Sequence, residues 1–213
     1  MNKQLIQIFR AAYAPCDGLK NRCKNHIQWD PYNGHMPRGY MCNANDLEKI
    51  QLVLVLAEPG NPEPGDECYT IDTPENMITA HNSYVTFSGG GLFHQNIRKI
   101  VSLCFPELDF ATAKKKVLIT ESVLCSTPIT QTSTGRMPIA VVDECGERYL
   151  LKQHELLKNA YWVAVGAKAR DRMKRLGIPY NFVISHPAPP EANKSRALHS
   201  WQKMAADFQT VEK

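Results

Sequence analysis

Apolar residues gather in four short runs along the chain: Leu52–Leu56 (LVLVL), Val117–Thr120 (VLIT), Tyr161–Val165 (YWVAV) and Tyr180–Ser185 (YNFVIS). Each is too short for a stable helix and is rich in β-branched or aromatic residues, which suits buried strands. Turn formers close three of them: Pro59-Gly60 after the first, Gly166 after the third and His186-Pro187 after the fourth. Between the runs the spacing becomes helical. Leu5, Ile6, Ile8, Phe9, Ala12 and Tyr13 predict an opening amphipathic helix, and Phe93, Ile97, Ile100, Val101 and Cys104 a second that Pro106 ends. Tyr149, Leu150, Leu156 and Leu157 predict a helix near 144–159, and Lys168–Leu176 reads as a basic helix. Leu198, Trp201, Met204, Ala205 and Phe208 mark one side of a last helix over Lys194–Thr210. Residues 15–49, 61–92 and 121–143 read as long connections, the first of them irregular and cysteine-containing. Short apolar strands alternating with helices predict an α/β fold: three αβα layers around a central four-stranded parallel sheet.

The 213 residues suit a single domain over 1–213, with room for a proper core. A net charge of +4 permits a polyanionic partner without requiring one. No run approaches the roughly 18 apolar residues of a membrane span, so no membrane partner is expected. Polar residues interrupt the N-terminal MNKQLIQIFRAAY, a poor secretory signal, so a cytoplasmic location is expected. Seven cysteines in a reducing compartment are core thiols, metal ligands or cluster ligands rather than disulfides. The chain has no G-x-S-x-G elbow and no P-loop, which argues against a serine hydrolase and a P-loop nucleotidase.

If the sheet is parallel, everything that follows a strand gathers along one edge. That edge then receives Glu58 from Ala57-Glu58-Pro59-Gly60, Glu121 from Glu121-Ser122, and His186 from His186-Pro187-Ala188-Pro189-Pro190. Two carboxylates and a histidine facing one cleft form an acid–base set.

In order, these stretches resemble the motifs of the uracil-DNA glycosylase superfamily, over about residues 50–200. Leu56-Ala57-Glu58-Pro59-Gly60 resembles its first motif, a strand followed by a Gly-x-Asp/Asn-Pro-like turn. Ile119-Thr120-Glu121 with Cys125 and Pro128 resembles its middle motif, a strand ending in Asn. His186-Pro187-Ala188-Pro189 resembles its final His-Pro-Ser-Pro, and the following Ala192-Asn193-Lys194 is most similar to the single-strand-selective branch. The departures are Ala57 or Leu56 for Gly, Glu58 for Asp or Asn, Glu121 for Asn, and Ala188 for Ser.

The resemblance implies a DNA glycosylase that flips a base and hydrolyses its N-glycosidic bond. Glu58 would handle water and the sugar cation, and His186 the leaving base. Phe87, or else Tyr69, would stack on the flipped base. Pro189 and Pro190 sit where the family inserts an apolar wedge, while Asn193, Lys194, Arg196 and the Lys114–Lys116 run would meet the DNA. Glu121 in place of Asn alters base choice. An ionised carboxylate repels the O4 of uracil but accepts from the N4 amino group of cytosine, and a protonated one also donates to N3. Excising ordinary cytosine would destroy the host's DNA. The implied substrate is therefore a modified cytosine of phage DNA, in antiviral defence. The alternatives are a uracil or damaged-pyrimidine repair enzyme and a binding module that has lost catalysis. The chemistry needs no cofactor. Some branches carry a [4Fe–4S] cluster, and Cys16, Cys23, Cys125 and Cys145 occupy roughly the places of its ligands, with Cys42 an alternative. The Cys-x6-Cys spacing departs from the tighter pair, and zinc at the same thiols is a further reading. Cys104, on a helix's apolar face, is expected to be core.

Overall fold

The computed structural model describes residues 3–39, 47–60, 73–84, 91–127 and 137–211. Its centre is a four-stranded, all-parallel sheet in the order β2-β1-β3-β4, with β1 at Leu52–Leu56, β2 at Val117–Glu121, β3 at Tyr161–Val165 and β4 at Phe182–Ile184. Every residue of β1, β2 and β3 is buried, as strands covered on both faces must be.

Side-chain alternation sorts the core into two layers. Val53 and Val55 face one side with Leu118, Trp162 and Ala164. There they meet α1 (Lys3–Tyr13), α2 (Pro74–Tyr84), α5 (Ile139–Cys145), α6 (Leu151–Leu156) and α7 (Ala167–Arg175). Leu52, Leu54 and Leu56 face the other side, against α3 (Leu92–Cys104) and α8 (Ser195–Val211). Each such aliphatic side chain contributes about 1.5–3 kcal/mol by leaving water. Asp109 caps the short α4 (Phe110–Ala113) by accepting from the Thr112 amide at 3.0 Å, which launches the chain into β2. Cys104 is buried between α3 and α8, its Sγ 3.8 Å from the Met204 sulfur, as expected of a core thiol.

Three expectations change. The connection 61–92 contains α2, in which Met77 and Ile78 are buried among the described side chains. The helix expected near 144–159 begins earlier, at Ile139, and passes through a π turn at Gly146–Leu150 before α6. The fourth strand is confined to Phe182–Ile184.

The register fixes the functional edge. Leu56 lies opposite Glu121, Val55 opposite Ala164 and Val165 opposite Ile184. The chain therefore leaves all four strands at one level. From β1 it passes outward to β2, then crosses back over β1 to reach β3. Connections that diverge in this way leave a crevice at the carboxyl ends of β1 and β3.

Candidate active site

A cleft of about 880 Å³ opens at this crevice and extends to the end of β4. Its walls include Glu58, Pro59 and Gly60 after β1, Gly166, Lys168 and Arg170 after β3, and His186, Pro189, Pro190 and Arg196 after β4. Met137 and Pro138, ahead of α5, and Thr127 complete it.

Glu58 sits between two cations of α7. Lys168 Nζ donates to Oε1 at 3.0 Å, and Arg172 Nη1 lies 2.5 Å from Oε2. The second contact is a charge pair without a directed hydrogen bond, so Oε2 has no donor of its own. The two protons on Nη1 go elsewhere, to the Ala57 carbonyl at 2.6 Å and to Ser122 Oγ at 3.1 Å. Ser122 in turn donates through Oγ to the same carbonyl at 2.7 Å, and the Val123 amide reaches it at 3.0 Å. One buried guanidinium thus joins the turn after β1 to the turn after β2.

His186 is fixed from several sides. Its Nδ1 accepts from the Ala188 amide at 3.1 Å, so in the neutral ring the proton resides on Nε2. Burial lowers its pKa below the ordinary histidine value, against the opposing pull of Glu58 and Glu191. The ring stacks on Phe93 with centroids 6.3 Å apart, and Asn96 Nδ2 donates to the Pro187 carbonyl at 2.8 Å. Ser200 Oγ accepts from the Ser185 amide at 3.0 Å, and Trp201 Nε1 donates to the Ser185 carbonyl at 2.9 Å. Gly166, with φ of 86°, passes close beneath; a Cβ there would stand 3.7 Å from that of His186. The result is a neutral N–H donor held at the cleft beside a carboxylate.

Glu121 is separated from this pair. It ends β2, on the opposite side of β1 from β3, and does not line the cleft. It is 6% exposed, Oε2 has no partner, and Gly39 packs over its amide. Burial, then the charge of Glu58, holds its carboxyl well above the usual range; Arg38 and Arg172 oppose this. Its folded-state pKa therefore exceeds the unfolded one. The stability it contributes is complete below the ordinary carboxyl value and is lost as pH rises through the folded value. Glu121→Gln should thus gain stability over the native protein, and the gain should grow as pH rises above the ordinary carboxyl value. Urea unfolding of both proteins across a pH series checks this; equal pH slopes would contradict it. The depressed histidines His35, His154 and His186 act with the opposite sign, losing stability as pH falls below about 6.5, and are common to both proteins.

The other expected residues divide. Pro189, Pro190 and Arg196 line the cleft. Arg196 and Lys194 both pair with Glu191, and Asn193 closes the turn Glu191–Asn193 by donating its amide to the Pro190 carbonyl. Lys114–Lys116 form a turn before β2, outside the cleft, where Lys116 donates to Gln51. Phe87, Tyr69 and Cys42 lie outside the described residues. Lys168, Arg172 and Asn96 were not expected in the site, and Phe93 was read only as part of a helix's apolar face. The signal for the first two was present, since Lys168 and Arg172 are one helical turn apart directly after a strand.

Cys16, Cys23, Cys125 and Cys145 converge, although they come from three separate segments of the chain. All four line one small void beneath Tyr149. Cys16 Sγ accepts from Tyr149 Oη at 3.0 Å and from the Gly18 amide at 3.3 Å, and Cys145 Sγ accepts from the Leu124 amide at 3.3 Å. Burial pushes the Cys23 thiol up to about 11 and the Cys145 thiol to about 12. Among the described residues no three ligating groups close to single-ion spacing. Tetrahedral zinc would need its sulfurs about 3.8 Å apart. A four-iron cluster binds each thiolate to a separate iron and so spreads its ligands wider.

No protein-family model matches the chain, and no curated protein matches it. Among the described residues no helix is long and apolar enough to cross a membrane.

Proposed function

We propose that the protein is a DNA glycosylase of the uracil-DNA glycosylase type, acting on a modified cytosine of foreign DNA. The observation that carries the reading is that Glu58, after β1, and His186, after β4 with Nδ1 accepting from the Ala188 amide, line one cleft. Breaking the bond between C1′ and the base leaves the electron pair on the base and a cation-like sugar. The Nε2–H of His186 donates to the oxygen on which that negative charge gathers. Glu58 stabilises the sugar and takes up a proton from the water that adds to C1′. Lys168, Arg170 and Arg196 give the cleft its positive wall for the phosphate backbone, with Pro189 and Pro190 beside them as the wedge.

The choice of a cytosine-type base rests on the resemblance, which puts Glu121 in the place of the base-reading Asn. Glu121 lies outside the open cleft, so this choice requires a flipped base to reach past β1 to the buried carboxyl, whose Oε2 has no partner. Oligonucleotides carrying uracil, hydroxymethylcytosine or glucosylated hydroxymethylcytosine test the choice. Release of a modified cytosine is expected. Efficient release of uracil alone would replace this substrate with ordinary repair.

Cys16, Cys23, Cys125 and Cys145 would hold a [4Fe–4S] cluster, which the reaction does not use. Such a cluster ties the segment after α1 to the turn after β2 and to α5. Protein purified without oxygen should be brown, with absorbance near 400 nm and about four irons per chain. Cys125→Ser should lose both colour and iron. Colourless, iron-free protein from an iron-replete anaerobic preparation would remove the cluster.

A further inference from the structure

Glu58 meets its two cations on different terms. Arg172 is almost enclosed, its side chain 10% exposed, and it is also committed to the Ala57 carbonyl and to Ser122. Lys168 is 60% exposed and reaches Oε1 from the cleft wall as a single flexible point charge. With both contacts made, Oε1 is occupied and two positive charges offset the carboxylate. That arrangement opposes the role assigned to Glu58, which needs a free oxygen for water and net negative charge towards the sugar.

We propose that Lys168 is a releasable guard on Glu58. In the free protein it holds Oε1; when a strand enters the cleft, a phosphodiester oxygen draws the ammonium away and opens Oε1 to the attacking water. This rests on the glycosylase reading. Release is cheap, because an exposed ion pair of this kind shifts an equilibrium by about fivefold at most. The anion that takes the lysine offers a charge-assisted hydrogen bond in return. Arg170 and Arg196 on the same wall leave the lysine in the path of a backbone. Arg172 does not follow, because its Nη1 also holds the Ala57 carbonyl and Ser122 Oγ and its side chain is almost enclosed. The pair thus divides the work: Arg172 positions Glu58 permanently, while Lys168 couples its exposure to bound phosphate.

The test is single-turnover excision at saturating protein, with the phosphates flanking the target nucleotide replaced one at a time by neutral methylphosphonates. At one position the native protein should slow by about fivefold. Lys168→Met should be indifferent to that replacement. The slope of its log affinity against log salt should be shallower by about 0.7–0.9, the loss of one phosphate contact. Lys168→Arg should recover the sensitivity. Equal slowing of both proteins at every position would overturn the proposal. So would a Lys168→Met rate as low as that of Glu58→Gln, which would place the ammonium in the chemistry itself. If the native protein excises no base from any strand, the glycosylase reading fails first and the guard falls with it.

Discussion

Glu58→Gln should lower base excision by about 10²–10⁴-fold while DNA affinity changes by no more than a few-fold. The substitution keeps the shape of the side chain and removes the charge and basicity that the sugar cation and the water need. His186→Ala should lose about 10²–10³-fold, the usual effect of removing one donor from a developing anion. In the proposed complex neither side chain holds the backbone of the nucleic acid, which would meet the lysine, arginines and prolines of the cleft wall. Fluorescence-anisotropy titration beside single-turnover excision separates the two quantities. Parallel loss of binding and excision would mean that these residues shape the groove rather than act on the bond. A native protein that binds DNA tightly but excises nothing would instead describe a binding module, in which Glu58 is neutralised for good by its two cations.

Arg172→Met should cost about 3 kcal/mol of unfolding free energy. The reason lies in what is left behind. Glu58, with its side chain 18% exposed, would lose the cation at Oε2, and the Ala57 carbonyl and Ser122 Oγ would each lose the guanidinium donor. Arg172→Lys should recover only part of the loss, because an ammonium does not present two protons in a fixed plane beside a third charged contact. Arg175 provides an internal comparison. It makes a two-pronged pair with Asp143 at 2.6 and 2.8 Å, but its side chain is 47% exposed. Arg175→Met should therefore cost no more than about 1 kcal/mol. Urea denaturation with an unchanged m value gives both numbers. Equal costs for the two arginines would contradict the special standing of Arg172.

The strands were legible in the sequence because a strand covered on both faces must be apolar throughout. LVLVL and YWVAV allow little else at that length. Their common direction then brought Glu58 and His186 to one edge without any knowledge of packing. Helix α2 was not legible: PENMITAHNSY has the adjacent pair Met77 and Ile78 but no run of apolar residues at helical spacing, and its Pro, Asn and Ser residues resemble a loop. The start of α5 was hidden for a different reason. The π turn at Gly146–Leu150 adds residues to one turn and breaks the 3.6-residue rhythm that marks a helix. Within the site, the grip of Lys168 and Arg172 on Glu58 depends on how α7 lies across the end of β1, which no local pattern encodes. Glu121 illustrates the limit of reasoning from strand direction. Direction placed it on the correct edge, but strand order put it beyond β1, away from the open cleft. The four cysteines were expected together through family resemblance alone, since their spacing in the chain does not announce a common site.

The central claim is that the pair Glu58 and His186 breaks an N-glycosidic bond. It is tested most directly by incubating the protein with an oligonucleotide that carries one glucosylated hydroxymethylcytosine, then analysing the products by mass spectrometry. The account predicts the intact modified base free in solution and an alkali-labile abasic site in an otherwise unbroken strand, both absent with Glu58→Gln. Backbone cleavage without a free base, or no base released from this strand or from its uracil and hydroxymethylcytosine counterparts, would contradict it.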